Sequence, residues 1–138
     1  MNYKEKAAYY HSIGYNCAQS VACAFTEHVE MSHEDLFKIS EGFGLGMGNM
    51  EGTCGAISGA NMILGLIHSS GNTLDKLPKS KAATYAITRT ILDDFKKETG
   101  SVTCKDLKTK GPYFTPCAKC IDMACDLLEE KINKLTSI

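Results

Sequence analysis

The chain has 138 residues, of which 43% are hydrophobic, and this size and composition fit one globular domain. Fifteen Lys and Arg residues against sixteen Asp and Glu residues give a net charge of -1, which argues against binding to nucleic acid or to an anionic membrane. The first residues lack the apolar run of a secretory signal, and no apolar stretch is long enough for membrane insertion, so we expect a cytoplasmic protein.

Apolar residues recur with helical spacing from the start of the chain. Residues 3–13 are predicted to form the first helix, and Gly14 is placed to end it. The next helix is predicted to begin after Asn16, because Gln19 stands three residues later, as in an N-terminal capping box. Ser32 occupies the same kind of position before a shorter third helix.

The segment from Gly42 to Gly59 contains seven glycines and one cysteine. Thr53 is predicted to cap a helix in which Cys54 takes the first position. Gly55 and Gly59 lie four residues apart on one face of that helix, which favours close approach to another helix. A phosphate-binding loop is the main alternative, but the segment fits neither G-x-G-x-x-G nor the Walker lysine pattern.

The second half of the chain continues the same pattern. Pro78 suits the first position of a long amphipathic helix that ends at Gly100. Thr103 is then predicted to cap a helix with Cys104 just inside it, and Pro116 precedes the last helix.

No stretch alternates with a period of two, which would indicate a strand, and no internal repeat or linker divides the chain. The sequence therefore predicts one all-α domain over residues 1–138, a bundle of five to six helices.

Seven cysteines are many for a cytoplasmic chain, in which lasting disulfides are rare, and they point to metal binding or redox chemistry. Cys17, Cys54 and Cys104 each directly follow a predicted N-cap residue. Free N–H groups and the helix dipole at such positions stabilise a thiolate, which is the form that binds metals and attacks disulfides. Cys23 and Cys125 lie within helices and are expected to be buried as small hydrophobic residues.

Two kinds of chemistry suit the cysteines at helix starts. Four thiolates from different helices can hold Zn²⁺ or an iron–sulfur cluster, although their long spacing does not match zinc ribbons or ferredoxins. Cys117 and Cys120 instead form a C-x-x-C at the start of the last helix, where one thiol can attack and the other resolve. The four histidines, in contrast, are expected to be exposed or to cap helices; they are His11, His28, His33 and His68.

The contexts of these cysteines resemble the redox-active C_GCAxxG_C_C family, whose members have about this length and four characteristic cysteines. The segment from Cys54 to Gly59 fits Cys-Gly-Ala-x-x-Gly without gaps. The other matching contexts are Gly14–Gln19 around Cys17, Gly42–Gly44, Gly100–Cys104 with Leu107, and Cys120 with Ile121 and Ala124.

The resemblance implies a helical protein with Cys17, Cys54, Cys104 and Cys120 gathered at one site. The chain has three cysteines beyond that pattern, and one of them, Cys117, can replace Cys120 or pair with it. The fourth member of the site therefore remains open at this stage.

Our leading hypothesis is a redox or electron-transfer protein with an iron–sulfur cluster at these four cysteines. One alternative is a cofactor-free thiol–disulfide oxidoreductase with Cys117 and Cys120 as its catalytic residues. Another is a non-enzymatic accessory protein with a zinc Cys₄ site. Electron transfer requires a redox partner protein, and the sequence leaves that partner, any substrate and assembly into a homo-oligomer open.

Overall fold

The computed structural model describes residues 1–72 and 80–136 of the chain. Within these residues there is no β-strand, which confirms the all-α class. The described residues form seven helices: α1 (Tyr3–Ser12), α2 (Cys17–Ala24), α3 (His33–Ser40), α4 (Gly55–His68), α5 (Lys81–Thr99), α6 (Cys104–Lys108) and α7 (Cys117–Thr136).

The predicted number of five to six helices was therefore too low. The short α6 stands as a helix of its own because Thr109, its C-cap, already has extended backbone. Pro78, the predicted first position of the long helix, lies outside the described residues, and α5 is described from Lys81. None of the described helices has the length and apolar content needed to cross a membrane.

Local capping interactions form several of the helix ends as predicted. At α2, the Asn16 Oδ1 accepts a hydrogen bond from the Gln19 N–H, and the Gln19 Oε1 accepts one from the Asn16 N–H, both at 2.9 Å. At α3, the Ser32 Oγ accepts from the Asp35 N–H at 3.1 Å. Gly100 ends α5 with a left-handed φ of 91°. The capping box at Asn16 and the two other predicted helix ends are confirmed.

The start of α4 differs from the prediction by one residue. Cys54 is the N-cap, and the helix begins at Gly55. Thr53 instead forms an isolated antiparallel bridge with Thr103, and the Cys54 N–H donates to the Val102 carbonyl at 2.8 Å. This contact between distant segments ties the Cys54 backbone to Val102 and holds Cys54 outside the helical conformation, with φ of -48° and ψ of 130°. The helix therefore starts later than the local pattern predicts.

Helix α2 lies at the centre of the domain. All eight of its residues are buried, and it packs against α1, α3, α4 and α7. Its contact with α4 depends on small residues, because a Cβ on Gly59 would lie only 2.5 Å from the Ala18 carbonyl oxygen. A Cβ on Gly55 would lie 3.0 Å from the Phe43 carbonyl oxygen. The predicted close approach along the glycine face of α4 is confirmed.

The body of the domain has an ordinary apolar core. Its largest fully buried side chains include Phe25, Leu36, Ile57, Ile63, Leu64, Ile91, Phe95, Ile121 and Leu128. Cys23 and Cys125 belong to this core with exposures of 1% and 0%, as predicted. The other five cysteines lie at or just inside helix starts, and those starts define the site.

Candidate functional site

A cavity of about 200 Å³ lies where the starts of α2, α4, α6 and α7 meet. Each of these helices contributes one cysteine to its wall: Cys17, Cys54, Cys104 and Cys117. His11, Asn16, Leu45, Gly55 and Lys108 complete the lining. We call the four wall cysteines together with Cys120 the cysteine cluster.

The isolated bridge between Thr53 and Thr103 places Cys54 beside Cys104. The Cys54 N–H donates to Val102, and the Cys104 N–H donates to the Gly52 carbonyl at 2.9 Å. Cys54, the N-cap of α4, and Cys104, the first residue of α6, therefore lie at the same edge of the cavity. Two segments far apart in the sequence thus deliver two wall cysteines together.

The glycine-rich loop before α4 closes against these cysteines. Gly46 has a φ of +55°, and a Cβ there would overlap the Cβ of Cys104 and lie 2.9 Å from the Gly52 carbonyl oxygen. The Gly52 N–H also donates to the Gly46 carbonyl at 2.9 Å, which closes the loop on itself. The glycines of this loop therefore allow the backbone to approach Cys104, and Gly46 is the position that requires it.

Asn16 ties the same loop to the start of α2. Its Nδ2 donates to the Glu41 carbonyl at 2.9 Å while its Oδ1 caps the helix. Gly44 lies directly against the Asn16 side chain, where a Cβ would overlap it. One side chain therefore fixes both Cys17, the next residue, and the beginning of the glycine-rich loop.

Cys17 and Cys117 form the first pair of interacting thiols. The hydrogen bond from Cys17 is the main cause that lowers the pKa of Cys117 to about 5, and the positive charge of Lys108 adds to it against the opposing effect of burial. The same hydrogen bond, together with burial, raises the pKa of Cys17. Cys117 is partly exposed, whereas the other cysteines of the cluster are buried. It is thus the sulfur of the cluster with the most access to solvent.

Cys54 and Cys120 form the second pair. The hydrogen bond from Cys120 is the main cause that lowers the pKa of Cys54 to about 7, although burial opposes it. Backbone N–H groups of Ala56 and Ile57, in the first turn of α4, and the charge of Lys108 act in the same direction. The hydrogen bond to Cys54 and burial raise the pKa of Cys120. Within each pair, the hydrogen bond favours the thiolate of one sulfur, Cys117 or Cys54, and the thiol of the other, Cys17 or Cys120.

Lys108 is the cation of the site. Its Nζ donates to the Cys120 Sγ at 3.7 Å, and the Cys120 Sγ in turn contacts the Thr115 carbonyl oxygen at 3.7 Å. Burial would lower the pKa of Lys108, but the negative charge of the cluster, with Cys120 contributing most, raises it. Lys108 is therefore charged and partly offsets the thiolates.

The structure distinguishes the two candidates for the fourth cysteine by position. Cys117 lines the cavity with Cys17, Cys54 and Cys104. Cys120 has no exposed surface and contacts Cys54. Within the C-x-x-C, Cys117 therefore faces the cavity, whereas Cys120 interacts with Cys54 and Lys108.

Two residues of the site were not anticipated from the sequence. Lys108 follows Cys104 by one helical turn, so the two share a face of α6, and this spacing was the available signal. His11 was expected to be exposed or capping, but it lines the cavity and is only partly exposed. The packing of α1 against α7 brings His11 to Cys117, and the charge of His11 helps to lower the pKa of Cys117.

Within residues 1–72 and 80–136, no group of three or more His, Cys, Asp or Glu side chains converges on a point that would hold one metal ion. The chemistry available to the site lies in its thiolates. A thiolate can attack a disulfide or peroxide bond, or coordinate iron as one of several ligands of a cluster.

The profile of one protein family matches residues 15–131, a range that contains all seven cysteines and Lys108. The chain belongs to the C_GCAxxG_C_C family. The family is described as a "putative redox-active protein (C_GCAxxG_C_C)", and its name spells out four cysteines. Neither a curated protein nor a solved structure matches the chain. For this C_GCAxxG_C_C protein, redox chemistry is therefore the supported class of function, and the cysteine cluster is its candidate centre.

Proposed function

We propose that this chain is an electron-transfer protein whose cavity holds an iron–sulfur cluster bound by Cys17, Cys54, Cys104 and Cys117. One observation carries the proposal: four cysteines from the starts of four different helices line the same cavity. Cys117 takes the place that the sequence assigned to Cys120, because Cys117 faces the cavity.

The donor set and the space fit such a cofactor. Four cysteine thiolates are the usual ligands of both [2Fe–2S] and [4Fe–4S] clusters. A cluster distributes its ligands over two or more irons, so its cysteines surround it instead of meeting at one point. This agrees with a cavity of about 200 Å³ lined by four cysteines.

The residues of the chain would tune the cofactor and shield it. Backbone N–H groups of Ala56 and Ile57, in the first turn of α4, favour the Cys54 thiolate, and N–H groups beside a ligand sulfur adjust the reduction potential of a cluster. Lys108 supplies a positive charge beside the thiolates. Partly exposed Cys117 marks the side on which electrons would enter from a redox partner protein. When bound, the cluster would supply one-electron chemistry.

The test is anaerobic purification of the full chain, followed by iron and acid-labile sulfide analysis and visible absorption spectroscopy. We expect iron and sulfide in equal amounts and a broad visible band that bleaches on reduction. Cys104→Ala should lose most of the iron, whereas Cys23→Ala, which alters a buried cysteine of the core, should retain it. A wild-type protein that stays free of iron after reconstitution would overturn the proposal.

Thiol–disulfide exchange is a second candidate, because Cys17 and Cys117 line the same cavity, Cys17 favours the Cys117 thiolate and Cys117 is partly exposed. The Cys117 thiolate would attack a disulfide of a partner, forming a mixed disulfide and releasing one thiol. Cys17 would then attack the Cys117 sulfur and release the second thiol. The partner disulfide gains two electrons and two protons, and Cys17 and Cys117 become a disulfide.

This exchange pair differs from the predicted Cys117 and Cys120, since Cys120 contacts Cys54. The Cys17→Ser variant should trap the mixed disulfide on Cys117, which mass spectrometry of the metal-free protein would detect after treatment with oxidised glutathione. Cys23→Ser is the matched control and should trap none. Equal labelling of Cys117 in wild type and Cys17→Ser would remove this candidate.

A further inference from the structure

We propose that the opening of the cysteine cavity is a docking surface for a small electron-transfer protein with an acidic surface. Three exposed apolar side chains and three lysines carry this inference. We call them the cavity rim: Leu45, Met47, Lys108, Lys110, Phe114 and Lys119. The inference rests on the proposed function for the purpose of the contact, which is electron transfer. The contact itself depends only on side chains of the chain.

Leu45 and Met47 form one side of the rim. Leu45 lines the cavity and is still 53% exposed. Met47 is 57% exposed, and its Cγ packs against Gly52, whose carbonyl accepts the Cys104 N–H. Both residues have left-handed backbone, with φ of 54° and 67°, in which large side chains are uncommon. The glycine-rich loop therefore presents two apolar side chains to solvent beside Cys104.

The connection between α6 and α7 forms another side. It leaves the cavity wall at Lys108 and returns to it at Cys117, since both residues line the cavity. The Thr115 N–H donates to the Leu107 carbonyl at 2.8 Å, which holds the end of the connection against α6. Phe114, the residue before this bond, is 52% exposed. An aromatic side chain is therefore left in solvent close to the most exposed sulfur of the cluster.

Three lysines lie at the opening. Lys108 lines the cavity, and Lys110 is exposed two residues after it. Lys119 is placed there by His11, which lines both the cavity and a neighbouring hollow whose wall includes Lys119 and Asp122. Within the part of the chain that the structure describes, neither Lys110 nor Lys119 forms an ion pair. Their charges are therefore available to a partner.

The charge of this region differs from that of the whole chain. Residues 104–119 contain four lysines and one acidic residue, whereas the chain has a net charge of -1. That acidic residue, Asp106, accepts a hydrogen bond from the Ser101 Oγ at 2.8 Å. Opposite charges across an interface speed the encounter of two proteins, and redox encounters bury little surface. An apolar and basic rim therefore fits an acidic redox protein.

A second copy of the chain is a poorer occupant of the rim. In a two-fold dimer the same surface meets itself, so the lysines of one copy would lie against those of the other. Like charges across an interface cost free energy. Such a dimer would also cover Cys117, the most exposed sulfur of the cluster. The charges therefore favour a different, acidic protein.

The test measures binding of the anaerobically purified full chain to two electron-transfer proteins by isothermal titration calorimetry. The probes are an acidic plant-type [2Fe–2S] ferredoxin and a basic cytochrome c. We expect the ferredoxin to bind and the cytochrome not to bind. The ferredoxin affinity should fall as salt is added, because salt screens the attraction between exposed charges.

Charge reversal at the rim should weaken ferredoxin binding. Lys110→Glu and Lys119→Glu should each lower the affinity several-fold. Lys81→Glu is the matched control, since Lys81 is exposed at the start of α5, where Ser80 bonds to Ser70 after the end of α4. Helix α4 starts at the cavity and has 14 residues, so its far end lies about 20 Å away. The control should therefore bind as wild type.

Phe114→Ser tests the apolar part of the rim. It should lower the ferredoxin affinity several-fold at high salt as well, because salt does not screen an apolar contact. Tyr85→Ser is the matched control, since Tyr85 is an aromatic residue of α5 that is 57% exposed. It should bind as wild type. Circular dichroism checks that each variant is folded.

No ferredoxin binding, equal binding of both probes, or equal losses in rim and control variants would overturn the inference. So would changed self-association of Phe114→Ser in sedimentation with unchanged ferredoxin binding, because the rim would then join two copies. Iron analysis of the same samples separates the two proposals. Ferredoxin binding that depends on Lys110 and Lys119 in iron-free protein rejects only the cluster. Bound iron without such binding rejects only the docking surface.

Discussion

Cys120 and Cys125 lie on the same helix and are both fully buried, yet their environments differ. Cys120, in the first turn of α7, contacts Cys54, Lys108 and the Thr115 carbonyl. Cys125, one turn further on, belongs to the same buried apolar cluster as Cys120, and burial is the main cause that raises its pKa to about 12. The interactions with Lys108 and Cys54, and not the degree of burial, separate Cys120 from Cys125.

The backbone near the cavity also differs from the backbone of the helical core. The body of the domain consists of regular helices, whereas the glycine-rich loop beside the cavity has left-handed backbone at three residues other than glycine: Leu45, Met47 and Met50. Left-handed backbone costs such residues about 1–2 kcal/mol each. The close packing of the body must offset this cost. Substitutions in the helical body and substitutions in the glycine-rich loop beside the cavity should therefore have separate effects.

We expect the largest loss of stability from a substitution at Gly59, where α2 and α4 pack closely. Gly59→Ala places a Cβ 2.5 Å from the Ala18 carbonyl oxygen, so α2 and α4 must separate. We expect a loss of about 1–3 kcal/mol in the free energy of unfolding, measured by urea denaturation. Gly65→Ala on the same helix is the control, since nothing lies within 4 Å of its added Cβ, and it should stabilise by up to about 1 kcal/mol. Equal effects of the two substitutions would contradict the close approach.

Gly46→Ala should disturb the cavity end with a smaller effect on the body. Gly46 and Gly48 both have positive φ, so an alanine at either position costs about 1 kcal/mol through the backbone. Only at Gly46 does the added Cβ meet Cys104. We expect Gly46→Ala to cost about 1 kcal/mol more than Gly48→Ala and to lower iron binding. If Gly48→Ala lost iron and Gly46→Ala retained it, Gly46 would not be the loop position that supports the cysteine site.

The pH dependence of alkylation should separate Cys117 from Cys23. The pKa of Cys117 is lowered to about 5, whereas burial raises that of Cys23 to about 11. In the metal-free protein, the rate of Cys117 reaction with iodoacetamide should therefore rise through about pH 5 and level off below pH 7. Cys23 should react only after unfolding. Mass spectrometry of peptides labelled at each pH gives both profiles.

The same titration affects stability with a defined sign. Because the folded chain releases the Cys117 proton at lower pH than the unfolded chain, this group stabilises the fold increasingly from about pH 5 to about pH 9. Its contribution is lost as the pH falls through about 5. Above about pH 9, the raised pKa of Cys17 acts in the opposite direction.

The smallest effect should follow removal of the Lys108 charge. Lys108 lowers the pKa of Cys117 by its charge and by a hydrogen bond, so Lys108→Gln should move the alkylation midpoint of Cys117 up by about one pH unit. Lys105 lies on the same helix and is exposed, which makes Lys105→Gln the matched control. An unchanged midpoint in Lys108→Gln would show that the thiol pair alone sets the reactivity of Cys117.

The sequence by itself determined the helical class, most helix ends and the division of the cysteines into two groups. These features depend on contacts within about four residues. The capping box of Asn16 and Gln19 and the glycine at position 100 act within a single helix or turn. The apolar residues beside Cys23 and Cys125 in the sequence mark the helix positions that face the core. Local contacts of this kind are visible in the order of residues.

Only the tertiary structure decided which cysteines meet. The bridge between Thr53 and Thr103 joins distant segments, delays the start of α4 by one residue and places Cys54 beside Cys104. Cys117 and Cys120 are equivalent in a C-x-x-C, but the direction in which α7 packs turns one to the cavity and the other to Cys54. Such choices depend on how whole helices pack against one another, and no local pattern contains them.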